Sequence, residues 1–161
     1  MKNVLLVLSL LLCSFSSYAL TIKVGVLAPE GTNWSKGLKK MAKEIKKATN
    51  KDVKFKIYFG GLQGDEKDVL RKIRVGQLHG GVFTGKTLGE IDGNVRVMEI
   101  PFTFGSNREK AWKVLNKLAP HFDQNFTKKK FKNLGLFEIG MVYFVSQKKN
   151  SSLDSLKGLK I

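Results

Sequence analysis

The sequence predicts an α/β fold in which strands alternate with helices. Three observations predict it: a strand-like apolar run at residues 22–27, a helical spacing of apolar residues at 34–49, and a second strand pattern at 53–58. Strands and helices that alternate in this way form an α/β sheet with right-handed crossovers. With 42% hydrophobic residues, the composition is that of a globular protein with one substantial core.

The first helix is amphipathic. Its apolar residues recur at helical spacing: Trp34, Leu38, Met41, Ala42, Ile45 and Ala48. Six lysines occupy the other side: Lys36, Lys39, Lys40, Lys43, Lys46 and Lys47. Thr32 or Asn33 is placed to cap the helix. We therefore expect a helix near Trp34 with a solvated lysine face.

A glycine-rich loop, FGGLQGDE at residues 59–66, joins the second strand to the second helix. Asp65 is expected to cap that helix, which runs over residues 66–75 and ends at Gly76. A third strand is expected at 78–83, and a fourth at 95–100, where Pro101 halts it.

The later elements are expected to be two helices and two extended segments. Ala111, Trp112, Leu115 and Leu118 share one face of a helix at 108–118. A further helix is expected at 120–130, a strand at 134–139 and an extended run at 141–146.

The first 19 residues have the pattern of a secretory signal peptide. Lys2 precedes an apolar run at 4–12. Ser17 and Ala19 are small residues at the two positions that signal peptidase recognises before its cleavage site. We expect cleavage after Ala19, a periplasmic location and no membrane-spanning segment in the mature chain. The single cysteine, Cys13, leaves with this segment, so no disulfide or thiolate site is expected.

The net charge of +16 raises the alternative of a basic secreted domain that binds polyanions. No aromatic residue interleaves with the lysines of the first helix to stack on bases, so we expect no nucleic-acid partner. A second lysine cluster, Lys128 to Lys130 with Lys132, falls at an expected helix end, where cations complement the helix dipole. Charge alone therefore does not define the function.

A second alternative is a nucleotide-binding protein, because GGVFTGKT at residues 80–87 has the spacing of a P-loop. That motif needs a strand before its first glycine and a long helix after its lysine. Here Gly80 falls inside the third expected strand, and Gly89 and Gly93 interrupt the segment that would form the helix. The context argues against a working P-loop.

No arrangement of residues indicates catalysis. The histidines His79 and His121 lack the spacing of paired metal ligands, and no serine stands in a nucleophile-elbow pattern. Asp65 and Glu66 form an acidic pair, but their place at a helix start favours capping and dipole complementarity. We expect no enzyme activity, no metal site and no cofactor.

Five segments follow one another in a consistent order: IKVGVLAPEGTNWSKGLKKMAKEIKKAT, VKFKIYFGGLQGDEKDVLRKIRVGQLHGGVF, VMEIPFTFGSNREKAWKVL, LGLFEIGMVYFVSQKK and LDSLKGLKI. Together they resemble the solute-binding proteins of TRAP transporters, the DctP-like family. The resemblance implies a periplasmic-binding-protein-like first lobe at residues 20–144. It also implies a crossover and the start of a truncated second lobe at 145–161.

The resemblance further implies a receptor whose two lobes close on a small organic acid, a carboxylate, and deliver it to the membrane subunits of a TRAP transporter. Ligands of such folds bind beyond the carboxyl ends of the strands. By resemblance, the residues that face the ligand cleft after the first four strands are Asn33, Trp34, Gln63, Asp65, Thr84, Phe102 and Phe104. Met141 and Tyr143 are further candidates and lie at the crossover. Asp65 is expected to be more a cap than a ligand contact.

The segment LDSLKGLKI resembles the beginning of the family's second lobe. In the family an arginine that binds the ligand carboxylate commonly follows it, and another often lies two residues after the glycine that matches Gly140. This chain has Val142 at the latter position. We therefore expect a fragment without the second lobe, which binds ligand weakly or not at all alone.

Overall fold

The computed structural model describes residues 19–105 and 107–138, together with Ser152, Asp154 and Lys157. The chain divides into two compact units, the first ending at Ile100 and the second beginning at Pro101. None of the helices in the described segments is both long enough and apolar enough to span a membrane.

The first unit alternates strands with helices. Its elements are β1 (Leu20–Val26), α1 (Asn33–Ala48), β2 (Val53–Tyr58), α2 (Glu66–Arg74), β3 (Gly80–Val82), α3 (Gly85–Ile91) and a 3₁₀ helix (Gly93–Glu99). The second unit contains α4 (Arg108–Lys128). The α/β class predicted from the sequence is confirmed.

The three strands form a parallel sheet in the order β2-β1-β3. In the central strand β1, Val24 lies opposite Ile57 of β2 and Gly80 of β3. Because all three strands run in the same direction, their carboxyl ends meet at one edge of the sheet. The segments that follow the strands there, residues 27–34, 59–66 and 83–84, are called the carboxyl edge below.

Helix α2 packs closely on the sheet. Its Val69 and Leu70 are only 4% and 1% exposed. A Cβ atom at Gly25 of β1 would lie 2.8 Å from Val69, and one at Gly81 of β3 would lie 2.9 Å from it. Glycine in these two neighbouring strands therefore allows the helix to approach the sheet.

The ends of α1 and α2 follow signals that the sequence contains. Thr32 Oγ1 accepts a hydrogen bond from the Ser35 N–H at 3.3 Å, and Asp65 Oδ1 accepts one from the Asp68 N–H at 2.9 Å. Gly76 follows the C-terminus of α2 with φ +75°, a conformation that glycine adopts without strain. These capping predictions are confirmed.

The prediction that glycines prevent a helix after Lys86 was wrong, because α3 forms. A Cβ atom at Gly89 would overlap the Arg96 side chain, and one at Gly85 would overlap Glu99. Both side chains come from the 3₁₀ helix and pack over the two glycines. At Gly89, which lies inside α3, this packing offsets an intrinsic cost of about 1 kcal/mol for glycine in a helix interior.

The predicted fourth strand at 95–100 was also wrong, since the chain forms a 3₁₀ helix through Glu99. Val95 is 5% exposed and Val97 is 41% exposed. A strand would place these two residues on the same face, whereas a three-residue turn separates them. Asp92 caps this helix by accepting a hydrogen bond from the Asn94 N–H.

The later elements also differ from expectation. The helices expected at 108–118 and 120–130 are one helix, α4, which contains Pro120. Phe122 and Phe126, one turn apart beyond the proline, are 1% and 2% exposed, and their burial favours continuation of the helix. Residues 134–138 form no strand, so that prediction was wrong, and the extended run at 141–146 lies outside the described residues.

Candidate functional site

Five of the predicted site residues lie at the carboxyl edge of the first unit. Asn33 and Trp34 begin α1 after β1, Gln63 and Asp65 belong to the loop after β2, and Thr84 follows β3. Asn33 and Asp65 are exposed, whereas the other three are partly buried. The parallel sheet therefore brings residues from three separate segments to one edge.

The remaining predicted site residues lie elsewhere in the chain. Phe102 and Phe104 belong to the second unit. Phe102 is 90% exposed and has φ +66°, which is unusual for a bulky side chain. Met141 and Tyr143 are outside the described residues.

The side chain of Gln63 is held by Lys72 of α2. Lys72 Nζ donates to the Gln63 carbonyl oxygen at 2.9 Å and to Gln63 Oε1 at 3.1 Å, both in partly buried surroundings. Because an ammonium group only donates, it orients the amide with Oε1 towards Lys72. The NH₂ group of Gln63 is then the part that can donate to an acceptor on a ligand.

Thr84 is held by Glu66, the first residue of α2. The Thr84 N–H donates to Glu66 Oε2 at 3.0 Å and to Oε1 at 3.2 Å, and the Thr84 hydroxyl donates to Oε2 at 2.8 Å. Both donors of Thr84 are therefore used within the chain. Sequence reasoning had given Glu66 only a role at the helix start.

Asp65 has the capping role that the sequence predicted. Its Oδ1 accepts from the backbone of Asp68. Gly64, directly before it, has φ +90°, and a Cβ atom there would lie 2.6 Å from Asp68 Oδ2. The loop conformation that presents Gln63 and Asp65 thus requires glycine at this position.

A shallow depression of about 400 Å³ opens beside the end of β2. Its lining residues are Pro29, Glu30, Lys39, Ile57, Phe59, Gly60 and Leu62. Lys39 pairs with Glu30, and its Nζ lies 5.6 Å from the centre of the Phe59 ring. None of the predicted site residues lines this depression.

The P-loop alternative has no structural counterpart at residues 80–87. Gly80 is paired with Val24 inside β3, and only Phe83 and Thr84 separate β3 from α3. Of the four residues between the two glycines, two belong to the strand, so the segment does not form the loop of N–H groups that cradles a phosphate. Helix α3 has only 7 residues.

The histidine His79 has a structural role at the start of β3. Its Nδ1 accepts from the Lys23 N–H at 3.0 Å, and its own N–H donates to the Lys23 carbonyl oxygen at 2.9 Å. In residues 19–105 and 107–138, no three His, Cys, Asp or Glu side chains are grouped as metal ligands would be.

The lysine face of α1 and the ion pair of the second unit lie at the surface. The six lysines of α1 that were predicted to be solvated are all exposed. In the second unit, Arg108 Nε and Nη2 donate to the Glu138 carboxylate at 2.9 and 3.0 Å. These hydrogen bonds, together with the charge of Glu138, raise the pKa of Arg108 above its ordinary value.

A parallel α/β sheet with polar side chains at its carboxyl edge is the architecture of a ligand-binding lobe. The model of one family, described as bacterial extracellular solute-binding protein, family 7 (DctP), matches residues 24–161. The chain belongs to this family, which confirms the resemblance noted in the sequence. Among curated proteins, none matches the chain.

Solved structures of TRAP periplasmic solute-binding proteins are similar to this chain. One from Desulfovibrio salexigens, with bound orotic acid, is 27% identical with a TM-score of 0.62 over 68% of this chain and 35% of its own. One from Pseudomonas putida F1, with bound D-glucuronate, is 25% identical with a TM-score of 0.63 over 70% of this chain and 37% of its own.

A third structure, an apo open and partially disordered protein from Rhodobacter sphaeroides, is 24% identical with a TM-score of 0.69. The match covers 87% of this chain and 46% of that protein, and at this identity it shows a likeness of fold. The chain thus spans between about a third and about half of the length of these structures.

Proposed function

We propose that this chain is the first lobe of the extracytoplasmic receptor of a TRAP-type transport system and contributes its carboxyl edge to the binding of a small organic acid. The observation that carries the proposal is the convergence of Asn33, Gln63 and Thr84 on one edge of a parallel sheet, in a member of a solute-binding family. The receptor acts by binding and release, without a catalytic step.

The ligands of solved relatives support the chemical class. The Desulfovibrio salexigens protein holds orotic acid, and the Pseudomonas putida protein holds D-glucuronate. Both are small carboxylic acids that also carry other polar groups. The ligand of this chain is proposed to have the same combination, and its contacts are proposed among Asn33, Trp34, Gln63, Asp65, Thr84, Phe102, Phe104, Met141 and Tyr143.

Cellular location and partners follow from the same proposal. Residues 1–19 act as a signal peptide that is cleaved after Ala19, so the mature receptor works in the periplasm. Residues 20–144 belong to the first lobe, and 145–161 lead towards a second. The receptor passes its ligand to the membrane subunits of the transporter.

The proposal is tested by titrating the ¹⁵N-labelled chain, recovered from the periplasm of a bacterial expression host, with D-glucuronate followed by NMR. D-glucose, which lacks the carboxylate, is the matched control. We expect millimolar D-glucuronate to shift amide signals in residues 27–34, 59–66 and 83–84, and glucose to leave them in place. Equal shifts with glucose, or shifts confined to the lysine face of α1, would contradict the proposal; the latter would favour a polyanion-binding domain.

A further inference from the structure

We propose that Glu66 is a specificity-determining residue of this site, which makes the carboxyl edge accept a ligand hydroxyl group and exclude a second ligand carboxylate. The inference rests on the proposed function, which it deepens by specifying the ligand class. It is carried by the contact between Glu66 and Thr84.

Glu66 occupies the donors of Thr84. Its two oxygens accept the Thr84 N–H at 3.2 and 3.0 Å, and Oε2 also accepts the Thr84 hydroxyl at 2.8 Å. These bonds are partly buried, where a charged acceptor holds its donors more strongly than in water. A ligand carboxylate can therefore use Thr84 as a donor only by displacing Glu66.

The Glu66 carboxylate still has capacity to accept. Two carboxylate oxygens offer about four lone-pair positions, and Thr84 uses them mainly on Oε2. Oε1, which receives only the longer branch of the N–H bond at 3.2 Å, keeps the larger share of the unused acceptor capacity. The complement of a fixed anionic acceptor is a hydroxyl or N–H donor on the ligand, and a second carboxylate meets a like charge.

Gln63 adds a hydrogen-bond donor to the carboxyl edge, next to the acceptor that Glu66 provides. Lys72 binds Gln63 Oε1 at 3.1 Å and leaves the amide NH₂ as the group that can donate. A donor at Gln63 and an acceptor at Glu66 thus lie three residues apart on the same segment. A ligand with an acceptor at one end and a hydroxyl at the other fits this arrangement, whereas a diacid does not.

The experiment compares D-galacturonate with galactarate, a related acid that carries carboxylates at both ends. Dissociation constants are measured by NMR titration for the wild-type chain, Glu66→Gln and Glu90→Gln. Glu90 is the matched control, because it is a carboxylate on the neighbouring helix α3 that pairs with Lys67 at 3.5 Å. Gln is isosteric with Glu, removes the charge and replaces one acceptor oxygen by an NH₂ donor.

We expect the wild-type chain to prefer D-galacturonate by about tenfold or more, and Glu66→Gln to reduce the preference to about twofold. Glu90→Gln keeps the wild-type ratio. If D-galacturonate shifts the carboxyl-edge signals but Glu66→Gln leaves the ratio unchanged, the inference is wrong and the proposed function stands. If neither acid shifts these signals even at about 50 mM, where weak binding by the first lobe alone is still detected, the proposed function itself is overturned, and the inference with it.

A second variant tests the contact without a ligand. Glu66→Ala removes both acceptors of Thr84, so the Thr84 amide proton is expected to exchange with solvent about tenfold faster than in the wild type. Glu90→Ala, which removes a carboxylate from α3, is the matched control and should leave the exchange of the Thr84 amide proton as in the wild type. Unchanged exchange in Glu66→Ala, or equally faster exchange in Glu90→Ala, would contradict the role given to Glu66.

Discussion

The loop after β2 and the second unit of the chain are organised in different ways. In the loop, Gln63 is tied to Lys72, and Glu66, directly after Asp65, is tied to Thr84 by bonds of 2.8 to 3.2 Å. In the second unit, large apolar side chains are exposed: Phe102 by 90%, Leu134 by 85% and Phe137 by 51%.

The difference indicates that the carboxyl edge is the region where ligand specificity can be determined before a ligand binds. At the carboxyl edge, polar groups are oriented by the first unit's own hydrogen bonds before any ligand arrives, which lowers the cost of ordering them on binding. In the second unit, by contrast, Phe102 and Leu134 are 90% and 85% exposed, so little burial holds these two side chains in place.

The largest predicted effect contrasts a buried leucine with an exposed one. Leu70 is 1% exposed in α2 and Leu134 is 85% exposed. Leu70→Ala is expected to lower the free energy of unfolding by about 2–5 kcal/mol, because it removes packed apolar volume and leaves a cavity. Leu134→Ala is expected to change it by less than about 0.5 kcal/mol. Urea unfolding followed by circular dichroism measures both.

If the two leucine substitutions lowered the free energy of unfolding by similar amounts, the proposed difference in packing between the two regions would be wrong. A large loss in Leu134→Ala alone would mean that Leu134 is buried in solution. The exposed side chain has a further expected consequence: Leu134→Ser should raise the concentration at which the chain begins to associate, as measured by light scattering.

Much of the first unit could be predicted because a few neighbouring residues decide each feature. Thr32 and Asp65 cap helices through backbone N–H groups only three residues away. Once the strands are parallel, their carboxyl ends meet at one edge of the sheet, so the segments that lie at this edge could be predicted too.

The features that could not be predicted depend on packing between separate segments. Gly89 disfavours a helix by its intrinsic propensity, but Arg96 packs over it and α3 forms. The spacing of Val95 and Val97 is that of an alternating strand, but both lie in the 3₁₀ helix, where Val95 is buried and Val97 is exposed. The bonds of Gln63 to Lys72 and of Thr84 to Glu66 span 9 and 18 residues, so only the placement of α2 reveals them.

The cap of α2 gives the next largest effect. Asp65→Ala is expected to lower the free energy of unfolding by about 1 kcal/mol, because the Asp68 N–H loses its acceptor. Asp65→Asn keeps an acceptor oxygen and should retain most of the stability. Urea unfolding measures the stability, and the D-glucuronate titration measures binding.

These two variants also separate a cap from a ligand contact. If Asp65→Asn is stable and binds D-glucuronate like the wild type, Asp65 acts as a cap. A loss of affinity beyond about tenfold in a stable Asp65→Asn would instead make Asp65 a direct contact.

Loosening Gln63 should have a smaller effect, visible in binding. Lys72→Met keeps much of the aliphatic stem but removes the ammonium that holds Gln63 at 2.9 and 3.1 Å. Affinity for D-glucuronate is expected to fall by about two- to tenfold, since the amide is no longer oriented. NMR should also show more motion of the Gln63 side-chain NH₂ group.

The matched control for Lys72 is Lys67→Met on the same helix. Lys67 is 62% exposed at its side chain and pairs with Glu90 at 3.5 Å. Lys67→Met should leave both the NMR signals of Gln63 and the affinity for D-glucuronate unchanged. An equal loss of affinity in the two variants would assign the effect to the net charge of the chain and not to the orientation of Gln63.

The smallest expected effect belongs to the ion pair of the second unit, where Arg108 contacts Glu138 at 2.9 Å with a side chain 71% exposed. Glu138→Gln should lower the unfolding midpoint only slightly, and less than Leu70→Ala or Asp65→Ala, because solvent screens an exposed pair. The bond raises the pKa of Arg108. The stability that the ion pair contributes is therefore fully present below the ordinary pKa of arginine. It is lost only when the pH rises through the still higher pKa of Arg108 in the folded chain. The difference between the wild type and Glu138→Gln should therefore be the same at about pH 7 and about pH 9, and should disappear in about 1 M salt. A difference that survives the salt would show that the pair is more buried than its exposure indicates. A difference that vanishes by about pH 9 would show that another group titrates with the pair.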